Sequence, residues 1–311
     1  MYIDKRIVKG KTKYYLGHSF REGDKVHKIR KYLGADLNEK TLKERMEKAK
    51  IFITEEIQKY QIIRDPLKFE LSKEEIDYLY NLEKEIPLKI AHLSEKDWEI
   101  FSEIFTFNTN AIEGSELSVK EVKEILEEDK WPSKSKEDIA EAYGVNEAVE
   151  FIRQTKEHIS LDFILELHKI VFKNSKHFAG QFRKVGEEVV VRTASGIVVH
   201  EGAPQSRVIG LLKELIAWYE KYKNNYPGIV LAAVVHNQFE NIHPFRDGNG
   251  RVGRLLLNNI LLKNKLPPIN IDFKNRQEYY KSLQYYERGH DLKPTIALLI
   301  KEYKALNRAL R

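Results

Sequence analysis

Twelve consecutive residues concentrate the chemistry of this chain: His243-Pro244-Phe245-Arg246-Asp247-Gly248-Asn249-Gly250-Arg251-Val252-Gly253-Arg254. They supply an imidazole, a carboxylate, glycines and guanidinium groups, and they run straight into the apolar segment Leu255 to Leu262. Leu255, Leu256, Leu257, Ile260, Leu261 and Leu262 would occupy most of a helix circumference, which predicts a buried central helix. Gly248-Asn249-Gly250 then falls at its N-terminus, where unpaired N–H groups and the positive end of the dipole favour an anion. Glycine lets a phosphate approach that backbone closely. Arg251 and Arg254, three residues apart, share a helix face and can reach one anion with forked donors. Asp247 is a hard oxygen ligand, and nucleotide-bound Mg²⁺ needs only one or two protein carboxylates. His243 is the nearby side chain whose ordinary pKa, about 6.5, suits proton abstraction at neutral pH. The combination suits a polyphosphate.

Read as His-Pro-Phe-x-Asp-Gly-Asn-Gly-Arg-x-x-Arg, the stretch resembles the full signature of the Fic family, with every fixed position present. The resemblance implies a protein adenylyltransferase that binds ATP and Mg²⁺. His243 would take the proton from a target Ser, Thr or Tyr hydroxyl, which attacks the α-phosphorus, and Asp247 would hold the metal. Asn249 and the loop amides at Gly248 and Gly250 would hold the α-phosphate, Arg251 and Arg254 the β- and γ-phosphates, with Phe245 also in the ATP site. Doc-like relatives, which phosphorylate their target with the nucleotide reversed, carry Lys where this loop has Gly250. A competing pattern, Gly248-x-Gly250-x-x-Gly253 with Asp272 about twenty residues on, satisfies the dinucleotide fingerprint. It fails on context: a polar connection containing Pro244, not a buried strand, enters the turn, and no βαβ alternation follows.

A second motif lies upstream. Ser94 reads as an N-cap with Asp97 at N3, Trp98, Phe101, Phe105 and Ile112 form an apolar stripe, and Gly114 can end the helix. Glu113 would then sit at the negative end of the dipole, where a carboxylate needs a cationic partner. Thr109-Asn110-Ala111-Ile112-Glu113-Gly114 is similar to the Ser/Thr-x-x-x-Glu-Gly motif of the inhibitory helix in Fic proteins that carry their own inhibitor. The resemblance implies a pair between Glu113 and Arg254 that displaces the γ-phosphate, with the inhibitory helix at 94–114.

The remaining elements must position these groups. Residues 185–203 hold two β-branched runs around a turn, a hairpin in an otherwise helical region, preceded by Gly180-Gln181-Phe182-Arg183. By resemblance it is the flap that aligns a target protein by strand addition and places Val189 and Val190 at the nucleotide. Helices are predicted for Ser118 to Leu126, Lys136 to Lys156, from Ser160, for Pro204 to Tyr222 and for Gly228 to Glu240. His168 and His236 read as hydrogen-bonded structural histidines. Tyr279, Tyr280, Leu283 and Tyr286 resemble the adenine-pocket segment, with Glu287 at a position often held by asparagine. A helix from about Glu39 to Ile63, ended by Arg64-Asp65-Pro66, separates a unit of residues 1–63 from a Fic domain at 70–311. A further helix runs from Ser72 to near Pro87.

The fold expected is thus mainly α: a Fic-fold helical bundle with a β-hairpin flap, behind a small antiparallel sheet and a long helix. Residues 1–34 alternate apolar and polar side chains around glycines and carry ten Lys or Arg against three acids, whereas the other 277 residues sum to −1. They loosely resemble small basic sheets ahead of some transposase and integrase domains, and could contact nucleic acid or only solvate an edge. Cysteine is absent, which excludes disulfides, zinc thiolates and Cys nucleophiles. Neither a signal peptide nor an apolar run of membrane-spanning length is seen, so a cytoplasmic protein is expected. Two copies could pair as a homodimer. Removal of AMP from a modified target, transfer of another phosphate-containing group, and nucleic-acid-bound regulation remain as alternatives.

Overall fold

The computed structural model describes residues 1–8, 10–22, 25–64, 71–85, 90–184, 186–187, 189–192, 198–289 and 291–309. The turn expected at Gly23-Asp24, the helix stops at Asp65-Pro66 and Pro87, Val185, Glu188 and residues 193–197 of the flap, and His290 lie outside the described residues. The chain divides into two compact units, Met1–Asp65 and Pro66–Arg311.

In the first unit β1 (Tyr2–Val8), β2 (Lys11–Glu22) and β3 (Lys25–Ala35) form an antiparallel sheet in the order β1-β2-β3. One sheet face meets α1 (Glu39–Arg64), and Leu16, Leu33, Ala49 and Ile53 make the core between them. Alternation in the strands against helical spacing in α1 explains that sandwich.

The second unit is helical. It comprises α2 (Lys73–Glu85), α3 (Glu95–Ile112), α4 (Val119–Glu128), α5 (Lys136–Gln154) and α6 (Leu161–Phe172). A short hairpin of β4 (Val190–Arg192) and β5 (Val198–Glu201) follows, and then α7 (Val208–Tyr222), α8 (Gly228–Ile242), α9 (Asn249–Lys263), α10 (Arg276–Gly289) and α11 (Lys293–Ala309). Capping boxes start α3 at Ser94/Asp97 and α4 at Ser118/Glu121, so each N-terminus is fixed by its own sequence. Helices α8 and α9 are buried along nearly their whole length and pack together as the core. Helix α8 runs two residues past the expected Glu240, because His243 takes a left-handed C-cap conformation (φ 51°). Among the described residues no helix is long and apolar enough to cross a membrane.

Candidate active site

The turn between α8 and α9 carries His243 to Gly248. Gly248, at φ 84°, is the N-cap of α9, and a Cβ there would lie 2.2 Å from the Phe172 ring, so only glycine fits. The first turn of α9 therefore opens on a cavity of about 730 Å³, a size typical of small-molecule sites. His243, Asp247, Gly248, Asn249, Gly250, Arg254, Glu113, Val189, Tyr279 and Glu287 all line it. Ten separately predicted residues thus meet in one space. For Val190 only the backbone is described: it pairs with Glu201 across the hairpin.

Two side chains hold the turn at His243: Arg183, whose role had no signal in the sequence, and His168, the hydrogen-bonded structural histidine expected. The Arg183 side chain, 2% exposed, donates through Nε to the His243 carbonyl at 2.8 Å and through its terminal nitrogens to the carbonyls of Glu187, Ile242 and Ala203. His168 braces the other end of the turn. Its Nδ1 accepts from Gly180 N–H at 2.8 Å, so Nε2 carries the proton and donates to the Asp247 carbonyl at 3.1 Å. Burial pushes the His168 pKa down to about 4, which keeps it neutral. On His243 the Nδ1 faces the Glu240 carbonyl at 3.2 Å, so that nitrogen bears the hydrogen and Nε2 keeps its lone pair. Burial first, then the neighbouring His200, press its pKa down to about 3. The imidazole is therefore a proton acceptor at neutral pH.

The opposite wall belongs to α3. Glu113 is the C-cap of that helix, and its Oε1 lies 2.7 Å from the Arg254 guanidinium. Arg254, 2% exposed, also donates to Thr109 Oγ1 at 2.7 Å, to the Thr109 carbonyl at 3.0 Å and to Tyr279 Oη at 3.3 Å. Both ends of the Thr109-to-Glu113 motif therefore grip the same arginine. The Glu113 carboxylate rests on the α9 backbone: a Cβ on Gly250 would fall 2.2 Å from its Oε1. Glu240, in the same wall, is raised to about 8 by burial and is largely protonated at neutral pH.

Three expectations change. Phe245 does not line the cavity: it is fully buried, stacked on His168 with ring centroids 3.9 Å apart and on Phe182 at 5.2 Å. Its ring serves the core because the turn folds it inward. Arg251 also stays outside the lining. Its guanidinium is paired with the buried Glu141 carboxylate on α5, lies over the Phe172 ring, and is 3.6 Å from Asp247. Asn249 lines the cavity, but its side-chain amide bonds the backbone N–H and carbonyl of Phe245 at 2.8 and 2.9 Å. It braces the loop, leaving the first-turn N–H groups as the donors available to an anion.

Asp247 faces the cavity with a 45% exposed side chain, 3.8 Å from Lys176 Nζ, and takes the Gly248 N–H on Oδ1. Glu287 is 3.1 Å from His200 Nδ1 on β5, and the His200 ring lies 5.1 Å from that of His243. A hairpin histidine beside the His243 turn had no sequence signal, since 42 residues, with α7 and α8 among them, separate the two.

Residues 158–261 match the Fic/DOC family model. The chain is 34% identical over 212 residues to protein adenylyltransferase fic-1 of Caenorhabditis elegans, a stretch covering 65% of this chain and 40% of that protein. It thus spans about two fifths of the length of these curated relatives from Caenorhabditis. The structure of C. elegans Fic-1 (residues 134–508) superposes with a TM-score of 0.63 at 27% identity, covering 88% of this chain and 78% of that one. A Fic domain containing signaling protein from Bacteroides thetaiotaomicron gives a TM-score of 0.63 at 25% identity over 76% and 93%.

Proposed function

We propose that this chain, whose residues 158–261 match the Fic/DOC family model, is a protein adenylyltransferase, transferring AMP from ATP to a Ser, Thr or Tyr hydroxyl of a target protein and held in check by Glu113. One observation carries the reading: the His243 imidazole and the Arg254 guanidinium face one cavity across the Gly248–Gly250 turn, with the Glu113 carboxylate already on Arg254.

His243 Nε2 accepts the target's hydroxyl proton. The oxygen forms a bond to the α-phosphorus, the bond to the bridging oxygen of the β-phosphate breaks, and pyrophosphate leaves. Amides of the first α9 turn receive the phosphate charge. Arg254 holds the terminal phosphate once Glu113 lets go. Arg251 acts indirectly, by keeping Glu141 and Asp247 in place. Tyr279, Tyr280 and Glu287 take the nucleoside end of the cavity, and β4 and β5 align the target by strand addition.

Asp247 is a fitting Mg²⁺ ligand, since it is a half-exposed carboxylate at the phosphate turn; among the described residues no group of three or more acidic or histidine side chains could hold an ion without the nucleotide. Bound there, Mg²⁺ would offset the charge of the phosphates and of the departing pyrophosphate. We place the enzyme in the cytoplasm. The two compact units support residues 1–63 and 70–311 as separate modules.

The test is incorporation of label from α- or γ-labelled ATP by wild type, Glu113→Gly and His243→Ala/Glu113→Gly. Label from the α-position should enter protein about tenfold faster or more in Glu113→Gly than in wild type, and His243→Ala should abolish it. Incorporation from the γ-position instead would mean phosphoryl transfer and end the proposal.

A further inference from the structure

The positive charge of residues 1–34 is sorted by the sheet register. Leu16, Ile29 and Leu33 point toward α1. Side chains alternate along a strand, so positions 11, 13, 15, 17 and 19 of β2 share the opposite face. Register then adds Arg6 beside Lys13, Arg30 beside Gly17 and Lys28 beside Ser19. Five cations, Arg6, Lys11, Lys13, Lys28 and Arg30, therefore share one face, and Asp4 is the carboxylate among them, 3.1 Å from Arg6 and 3.5 Å from Arg30.

Two features argue against a merely solvated edge. Charges that discourage strand pairing belong on edge strands, yet Lys11 and Lys13 lie on β2, the central strand. The face is also aromatic at its middle. The Tyr2 ring lies across Gly17, 2.8 Å from where a Cβ would stand, and Tyr15 and Tyr32 pair with ring centroids 5.2 Å apart. Tyr32 is half exposed, which leaves an apolar ring and a hydroxyl at the surface.

We propose that this face binds duplex DNA by entering the major groove, its cations reaching the flanking phosphates. Charge complementarity selects a polyanion, and width selects the duplex. A B-form major groove of about 12 Å admits a two-stranded ribbon, here β2 with β3, which carry Lys11, Lys13, Lys28 and Arg30. The deep, narrow major groove of A-form RNA excludes such a sheet. Exposed Arg6, Lys28 and Arg30 take phosphates, and the Tyr32 hydroxyl reaches a base edge.

The experiment is fluorescence anisotropy of a labelled DNA duplex titrated with the full chain at salt concentrations from about 50 to about 200 mM. Five phosphate contacts give a log–log salt slope of about −4.5. Lys28→Glu/Arg30→Glu should weaken binding about tenfold or more with an unchanged melting temperature, and Lys11→Glu alone about threefold. His243→Ala should bind DNA like wild type, which separates this activity from nucleotide transfer. Lys120→Glu/Lys123→Glu, an equal change of net charge on α4, should also bind like wild type. A flat salt dependence, equal weakening by the α4 variant, equal affinity for an RNA duplex, or displacement by polyglutamate as readily as by unlabelled DNA would each overturn the proposal.

Discussion

Replacing Gly250 by Ala should release the inhibitory carboxylate without altering Glu113 itself. The new methyl carbon would stand 2.2 Å from Glu113 Oε1 and 3.1 Å from its Cδ, whereas ordinary contact begins near 3.4 Å. The oxygen must therefore retreat by about 1.2 Å, which stretches its 2.7 Å contact with Arg254 to as much as about 3.9 Å. At an effective dielectric of about 20, that lengthening weakens the attraction by about 2 kcal/mol. An equilibrium between engaged and released carboxylate then moves by about 30-fold. Meanwhile α9 gains helix propensity, worth about 1 kcal/mol, so the protein need not lose stability. Label incorporation from α-labelled ATP should be compared in wild type, Gly250→Ala, Glu113→Gly and the double variant. Gly250→Ala should rise by up to about 30-fold toward the Glu113→Gly level, and the double variant should match Glu113→Gly. Wild-type activity in Gly250→Ala together with full activity in the double variant would show that the carboxylate keeps its grip, refuting the steric argument. A double variant well below Glu113→Gly would show that the methyl obstructs the nucleotide instead.

Arg183→Met should lower stability by about 3 kcal/mol, since the carbonyls around His243 lose their donor, and denaturant midpoints would register it; an unchanged midpoint would mean that water replaces the guanidinium. Glu141→Ala should cost about 3–5 kcal/mol by stranding the buried Arg251, and more than Glu113→Ala costs, because Arg254 keeps Thr109 and Tyr279. Stability should peak near pH 6.5. His168, His236 and His243 are held by burial at about 4, 3 and 3, so below about 6.5 the unfolded chain takes up protons that the folded one refuses, and stability falls by about 1.4 kcal/mol per pH unit for each. Glu240, raised from 4.5 to about 8, acts oppositely: the folded chain keeps a proton that the unfolded chain gives up, so its contribution falls with pH until about 8, and Glu240→Gln should flatten the limb between about 6.5 and 8 in thermal melts.

Local chemistry was legible in the sequence, whereas of the distant partnerships only Glu113 with Arg254 was, and that through a family resemblance and not through any local signal. Ser94/Asp97 and Ser118/Glu121 announce their helices because a capping box is made within four residues. The loop from His243 to Arg254 declared an anion site through its own order of glycine and charge. The pairing of Arg251 with Glu141 spans 110 residues, and nothing near either one distinguishes it from a solvated pair. His168 is the hydrogen-bonded structural histidine expected, but its partners and the role of Arg183 were opaque, because both bind backbone groups, which every residue possesses. Phe245 misled for a related reason: a motif fixes the residue type but not which way its ring turns.

The contact between Glu113 and Gly250 joins two stretches of one polypeptide, so the concentration that each presents to the other is set by the fold and not by how much protein is made. Dilution cannot separate them, and overproduction cannot saturate them. Under the inhibition proposed above, a cell holding ten times as many copies would hold ten times as many resting molecules at the same fractional output, and a ligand that distinguishes the two positions of that side chain would change the ratio.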